Sequence, residues 1–354
     1  MEAASVPAAR PATPGQAVRE FVSKYGLIIV LLAMPVWYAI EDLTSDTDNL
    51  SRLGNNLVDG ISNGAIWALV AIGYTLVYGI VELINFAHGE VFMIGSFVAA
   101  GFFGFIGLSE DTGTGLLILG LLITLPVAML ASGLLNTMIE RVAYRPLRSA
   151  PKLAPLITAV GFSFILQNIG LLWRGGSQQG ITDLIRSQHE LFDIGGISIT
   201  NGDLLAVFVT IPLLIAMTTF IGQSRLGKAM RATAQDPEAA RLMGINVDTT
   251  TSLTFLLGGM LAGAAGIIYA LYQTTIWYFQ GFTAGLVAFT AAVMGGIGNI
   301  RGAVLGGFII GFIQQMSDNR IGPEWTPAIV FVYLILIMVF KPSGLLGEET
   351  REAG

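Results

Sequence analysis

Apolar residues run along this chain in long blocks, and polar residues fall in the gaps between them. The blocks cover roughly 25–40, 57–80, 90–107, 115–138, 153–173, 203–221, 252–272, 284–297, 302–316 and 327–340. Most approach the ~20 residues that an α-helix needs to cross a hydrocarbon core of ~30 Å. The pattern therefore predicts an all-α, polytopic transmembrane helix bundle of about nine to ten spans. The apolar stretch in 284–316 is the weak part, because it reads either as two short spans or as one broken, re-entrant helix. Residues 1–24, rich in Pro, Ala and Thr, are expected to be a disordered tail and not a cleaved signal peptide. Residues 25–347 are expected to form one transmembrane domain, with 348–354 as a C-terminal tail.

Composition agrees with the pattern. Hydrophobic residues make up 53% of the 354 and charged residues 12%. That is half the roughly 25% charge of a soluble domain. Cysteine is absent and there are two histidines, His88 and His189. Disulfides, thiol nucleophiles and multi-histidine metal centres are excluded on that ground.

Lys and Arg set the expected orientation. If the N-terminus is inside and all ten blocks cross, 14 basic residues fall inside and 4 (Arg52, Arg174, Arg186, Arg320) outside. Such a bias fits the positive-inside rule, with both termini cytoplasmic. Ten spans divide into two halves of five, which would be inverted relative to each other. A faint echo supports the division: FAHGEV at 86–91 lines up with FTAGLV at 282–287.

The chain holds 44 glycines, many of them inside apolar blocks. Small residues let helices approach closely where lipid gives no hydrophobic drive for association. Gly295 and Gly296 could instead break a helix beside a pathway, since irregular backbone at membrane depth must be buried in protein or line a cavity. Asp59, Glu82, His88, Glu90 and Arg301 all fall near the expected ends of spans. A proton-coupled carrier would bury carboxylates near the midplane, so their scarcity argues for an external energy source.

One polar loop, 222–250, carries the clearest local chemistry. Asp236 is a good N-cap, and Pro237 at the first helical position loses nothing by lacking an N–H. Glu238 complements the helix dipole. Ala239, Ala240, Arg241, Leu242 and Met243 continue the helix, and Gly244 is placed to stop it. The result is a helix of about two turns on the inside. It reads either as a solvated connector or as a docking knob, for which Leu242 and Met243 supply apolar contact. Nearby, GQSRLGKA at 222–229 mimics a phosphate-binding loop, but Ala229 stands where Ser or Thr would hold Mg²⁺. Asn85, His88 and Glu90 read as a polar helix start or as gate residues. Phe86 and Phe282 read as core residues or as walls of an apolar path.

Five segments carry a resemblance. EAA at 238–240, with Gly244 four residues on, resembles the loop of ABC importer permeases. YGIVELINFAHGEVFMIG at 78–95, ERVAYRPLR at 140–148, AFTAAVMGGIGN at 288–299 and KPSGLLG at 341–347 resemble the branched-chain amino-acid permeases. The likeness runs from about 57 to 347 and is nearest the shorter of that family's two paired permeases. Shorter members begin near the second apolar block, so the tail and the 25–40 block look like an addition.

The resemblance implies a plasma-membrane permease subunit that moves branched-chain amino acids into the cytoplasm. Asp236–Gly244 would be the coupling helix, docking on one of two separate ATPase subunits. A second permease or second copy and an extracytoplasmic amino-acid-binding protein would complete the complex. The chain itself would bind no cofactor, ATP and Mg²⁺ residing on the ATPases, and would catalyse no bond chemistry. Two rivals remain: an ABC permease for urea or short amides, and an ion-coupled secondary transporter that needs no ATPase.

Overall fold

The computed structural model describes residues 26, 29, 33–44, 49–148, 150, 151 and 153–347. The expected tails, 1–24 and 348–354, lie outside the described residues. The helices are α1 (33–44), α2 (Asn49–Val81), α3 (His88–Phe105), α4 (Thr114–Ile139), α5 (Leu153–Arg174), α6 (Asn201–Gln223), α7 (Arg225–Gln235), α8 (Pro237–Leu242), α9 (Val247–Gln273), α10 (Gln280–Gly295), α11 (Ile300–Arg320) and α12 (Thr326–Phe340). Among the described residues, seven helices are long and apolar enough to cross a membrane, so the chain is a multi-pass membrane protein. The all-α bundle expected from the sequence is the fold.

Small residues decide which helices lie inside. α2 and α9 are almost wholly buried, whereas α4, α5, α6 and α12 bury little more than one face. α2 and α9 are rich in Gly and Ala and pack against each other; α2 also packs against α10 and α11, and α9 against α3 and α4. A Cβ on Gly307 would strike the Ala68 backbone, and one on Gly311 would strike Gly64, so α2 and α11 touch backbone to backbone. The order of these contacts, 60 beside 312 and 68 beside 307, makes the pair antiparallel. α4 and α9 pack the same way, with Gly259 against Asn136 and Gly263 against Ala128. Thus α4 stands to α9 as α11 stands to α2, the reciprocal packing that two halves of opposed direction produce.

α11 carries too many polar residues to count among the apolar spans, and it lies inside. Its polar side chains find partners on α2: Asn63 donates to Gln315 at 3.1 Å, Trp67 Nε1 to Gln314 at 2.7 Å, and Gln315 to Asp59 at 3.0 Å. Pairing is what makes polar groups tolerable in an apolar interior.

α10 and α11 are two separate antiparallel helices joined by a short turn, not one helix with a break. The turn is at Gly296 and Gly298, with φ of 108° and 91°. The orphan carbonyls at the end of α10 accept from the segment after α12: Leu345 N–H bonds Met294 O at 2.8 Å and Leu346 N–H bonds Gly295 O at 2.9 Å. Asn299 Nδ2 closes the knot on Leu346 O at 2.7 Å.

Two small antiparallel β-pairs sit at the end of the bundle away from α8. β1 (Gln179–Gly180) pairs with β4 (Thr275–Ile276), and β2 (Glu190–Ile194) pairs with β3 (Ile197–Thr200). The β2–β3 turn is Gly195-Gly196, both with positive φ, the combination that a type I′ hairpin turn needs.

Candidate functional site

The segment that leads into α3 folds back into the bundle. Glu82 adopts φ of 52° and reverses the chain after α2, a conformation uncommon outside glycine. α3 therefore begins at the depth of Gly73, about two turns before α2 ends, with the His88 ring seated over that glycine. The sequence placed His88 and Glu90 near span ends; both are fully buried.

A cavity of ≈ 280 Å³ opens on the side of the bundle between α5, α10 and α12. Phe86, Phe164, Phe282, Phe289 and Phe331 supply most of its wall, with Leu286, Val160 and Gly285 between them. Tyr74, Ser163 and Gln167 supply its polar atoms, and no charged side chain is among the lining residues. Phe86 stacks near Phe289 with ring centroids 6.4 Å apart. Ser163 donates to Glu90 Oε1 at 3.3 Å, while Glu90 Oε2 has no hydrogen-bond partner among the described residues. His88 packs edge-on against Tyr74 at 4.7 Å, and neither ring nitrogen makes a hydrogen bond of normal geometry.

Of the gate candidates, Phe86 and Phe282 thus meet at the cavity, and Glu90 and His88 lie just behind it. Asn85 is elsewhere. It is buried and donates to Asn136 Oδ1 on α4 at 3.0 Å, while Asn136 donates to Phe255 O on α9 at 2.7 Å. Gly295 and Gly296 belong to the knot with the 343–347 segment, away from the phenylalanines. Gln167 lines the cavity, but Asn168 bonds Phe164 O within its own helix at 2.8 Å.

The second candidate region is α7–α8. Asp236 Oδ1 accepts from Glu238 N–H and Ala239 N–H, both at 2.9 Å, capping α8. Gly244 stops it at φ of 84°. Ala240 turns inward, and Leu242 and Met243 stand at the tip, 89% and 82% exposed. α7 is a helix that the sequence reading took for loop. Ser224 caps it through Gly227 N–H at 2.9 Å, and Arg231 grips Ile221 O at 2.5 Å, locking α7 under α6. The phosphate-loop mimic at 222–229 is the junction of these two helices.

Sequence reasoning missed an ion network beside α8. Arg148 pairs with Glu140 at 2.5 Å and also with Asp248, and Arg145 pairs with Asp248 at 2.8 Å. Ser252 Oγ donates to Glu140 Oε2 at 2.6 Å. The sequence counted these arginines among the basic residues that set topology, with contact to anionic lipid as the other reading. Within ERVAYRPLR, Arg145 and Arg148 reach Asp248 about 100 residues away, and Glu140 reaches Ser252 on the same helix.

Residues 56–339 match the family model described as branched-chain amino acid transport system / permease component. The chain is 40% identical over 298 residues to the high-affinity branched-chain amino acid transport system permease protein BraD of Pseudomonas aeruginosa, covering 84% of this chain and 96% of that one. It is equally 40% identical, over 302 residues and the same shares, to the permease protein LivH of Escherichia coli. LivH of Salmonella typhimurium is 39% identical over 302 residues. With its multi-pass bundle and a match over most of its length, the chain belongs to the branched-chain amino acid transport system permease family.

Proposed function

We propose that this chain is one permease subunit of an ABC-type importer that carries branched-chain amino acids into the cytoplasm. The observation that carries the reading is the tip of α8. A separately capped helix that presents Leu242 and Met243 to solvent has an apolar surface with no partner among the described residues, and such a surface fits a protein contact. The α8 end also holds nine of the basic residues among the described ones, Arg141, Arg145, Arg148, Arg225, Lys228, Arg231, Arg241, Arg301 and Lys341, against Arg52, Arg174, Arg186 and Arg320 at the other. That bias favours a cytoplasmic α8 end, where ATPase subunits would dock. The phenylalanine cavity supports the substrate class, because its apolar wall suits an aliphatic side chain.

The chain does no bond chemistry in this reading. ATP and Mg²⁺ sit on two partner ATPases, a binding protein delivers the amino acid, and a second permease completes the pathway. The ion-coupled rival has one observation in its favour: Glu90, a buried carboxylate with an unpartnered oxygen, of the kind that relays protons.

Uptake of labelled leucine, valine and urea by cells expressing the complete complex separates the readings. Leucine and valine should enter and urea should not, with uptake lost when the ATPases are deleted. Urea entry without leucine moves the substrate to the amides. Leucine uptake that survives ATPase deletion and stops with a protonophore makes the chain a secondary transporter.

A further inference from the structure

We propose that Glu140, Arg148 and Asp248 form a positioning clamp that makes α4 move with α8, and so carries a displacement of α8 to Phe86. The proposal rests on the reading of α8 as the ATPase contact.

α8 does not touch the cavity. After Leu242 the chain passes through Gly244 and the cap Asn246 into α9, whose first turn holds Asp248. Arg148 grips Asp248 and Glu140 together. Glu140 is wholly buried, and its second oxygen takes the Ser252 hydroxyl, one turn further along α9. A buried carboxylate held by a guanidinium fork and a hydroxyl resists separation, because parting them strands a charge. The start of α9 and the end of α4 are therefore joined as one body at this level.

From there the connection runs to the loop before α3. Asn136, one helical turn before Glu140, bonds both Phe255 O and Asn85. Just past Glu140 the backbone adopts a π-helical turn, Glu140–Tyr144. It brings the Tyr144 hydroxyl to Ile84 O at 3.2 Å and Asn85 Oδ1 at 3.3 Å. Ile84 and Asn85 are thus tied to α4 and the turn that follows it, and the next residue is Phe86 in the cavity wall. Packed, hydrogen-bonded elements shift between discrete arrangements and do not stretch. A pull on α8 that moves α9 must either break this clamp or carry Phe86 with it.

The native chain has no cysteine, so Phe86→Cys gives it a single reporter. The complete importer, reconstituted in liposomes with binding protein and leucine, is labelled with a maleimide with and without ATP. ATP should change the labelling rate by about fivefold or more, the low end of typical coupling. Adding Asp248→Asn should abolish that change while ATP hydrolysis continues, leaving ATP consumed without leucine uptake. Asp248→Glu should restore it. Asp248 is half exposed and tolerates the isosteric change. Should that variant not assemble, Arg148→Lys, which keeps the charge and loses the fork, carries the same test. A full ATP response in Asp248→Asn or Arg148→Lys overturns the clamp, as does a reporter chain indifferent to ATP. An ATP response that the clamp variant removes, in an importer that does not take up leucine, upholds the clamp and refutes only the substrate assignment.

Discussion

Gly89 and Gly285 meet backbone against backbone where α3 and α10 pack together. A Cβ on Gly89 would strike Gly285 Cα and Gly281 O, and one on Gly285 would lie against Gly89 Cα. These two glycines hold the same place in the sequence echo, fourth in FAHGEV and fourth in FTAGLV. Corresponding residues of two inverted halves meet each other only on the axis that relates the halves. Such a contact is what two inverted halves would produce, and Phe86 and Phe282, the first residues of the two echoes, both line the cavity.

Gly89→Val should accordingly spread α3 from α10. Forcing methyl groups into a closed contact costs ~1–3 kcal/mol. The expected result is a lower unfolding temperature of the detergent-solubilised chain and a smaller amount in the membrane. Gly104→Val, where a Cβ meets nothing, is the control and should leave both unchanged.

Phe282→Trp narrows the cavity. Leucine uptake should fall about tenfold, equivalent to ~1.4 kcal/mol at the transport barrier, with membrane levels unchanged. Uptake at the parent rate would remove the cavity from the pathway.

Leu242→Asp places a charge on the exposed tip of α8. Central apolar contacts in protein interfaces are worth ≥ ~2 kcal/mol each. The ATPase subunits should no longer copurify with the permease, although the chain still reaches the membrane. Retention of the ATPases would assign the tip to solvent.

Asp236→Ala removes both cap bonds of α8 and should cost the helix ~1 kcal/mol. The chain's overall thermal stability should barely change, because α8 buries only Ala240. ATP-driven uptake should nonetheless decline, and Asp236→Asn, which keeps a side-chain oxygen, should restore it.

Local chemistry was legible in the sequence and long-range pairing was not. The cap, first turn and stop of α8 can be read from Asp236, Pro237, Glu238 and Gly244, because each acts within a few residues. Most span edges fell within a few residues for the same reason. α2 starts at Asn49 rather than 57 because Asn55 and Asn56, polar residues that end an apolar block, are held inside helix by partners at Gly196, Ser198 and Asn319. α11 runs on to Arg320 past the apolar block because Gln315 and Asn319 pair with α2. The β2–β3 hairpin escaped notice although Gly195-Gly196 between alternating residues is a hairpin signal. In the site, Phe86 and Phe282, read as core residues or as walls of an apolar path, both line the cavity. The Glu140–Arg148–Asp248 network joins residues about 100 apart, and no spacing rule connects them. His88 and Glu90 looked peripheral because the reversal at Glu82, which carries them inward, needs a positive φ at a residue whose identity does not announce it.

In the proposed reading, ATPases docked on α8 drive branched-chain amino acids through this chain. The most direct measurement is ATP-driven uptake of labelled leucine into liposomes holding the complete complex, with the native chain and with Glu238→Lys side by side. The native complex should take up leucine and Glu238→Lys, where a positive charge opposes the N-terminal end of the α8 dipole, should lose that uptake with equal amounts of permease in the membrane. Leucine uptake of equal rate in both, unaffected by the removal of ATP, would contradict the reading.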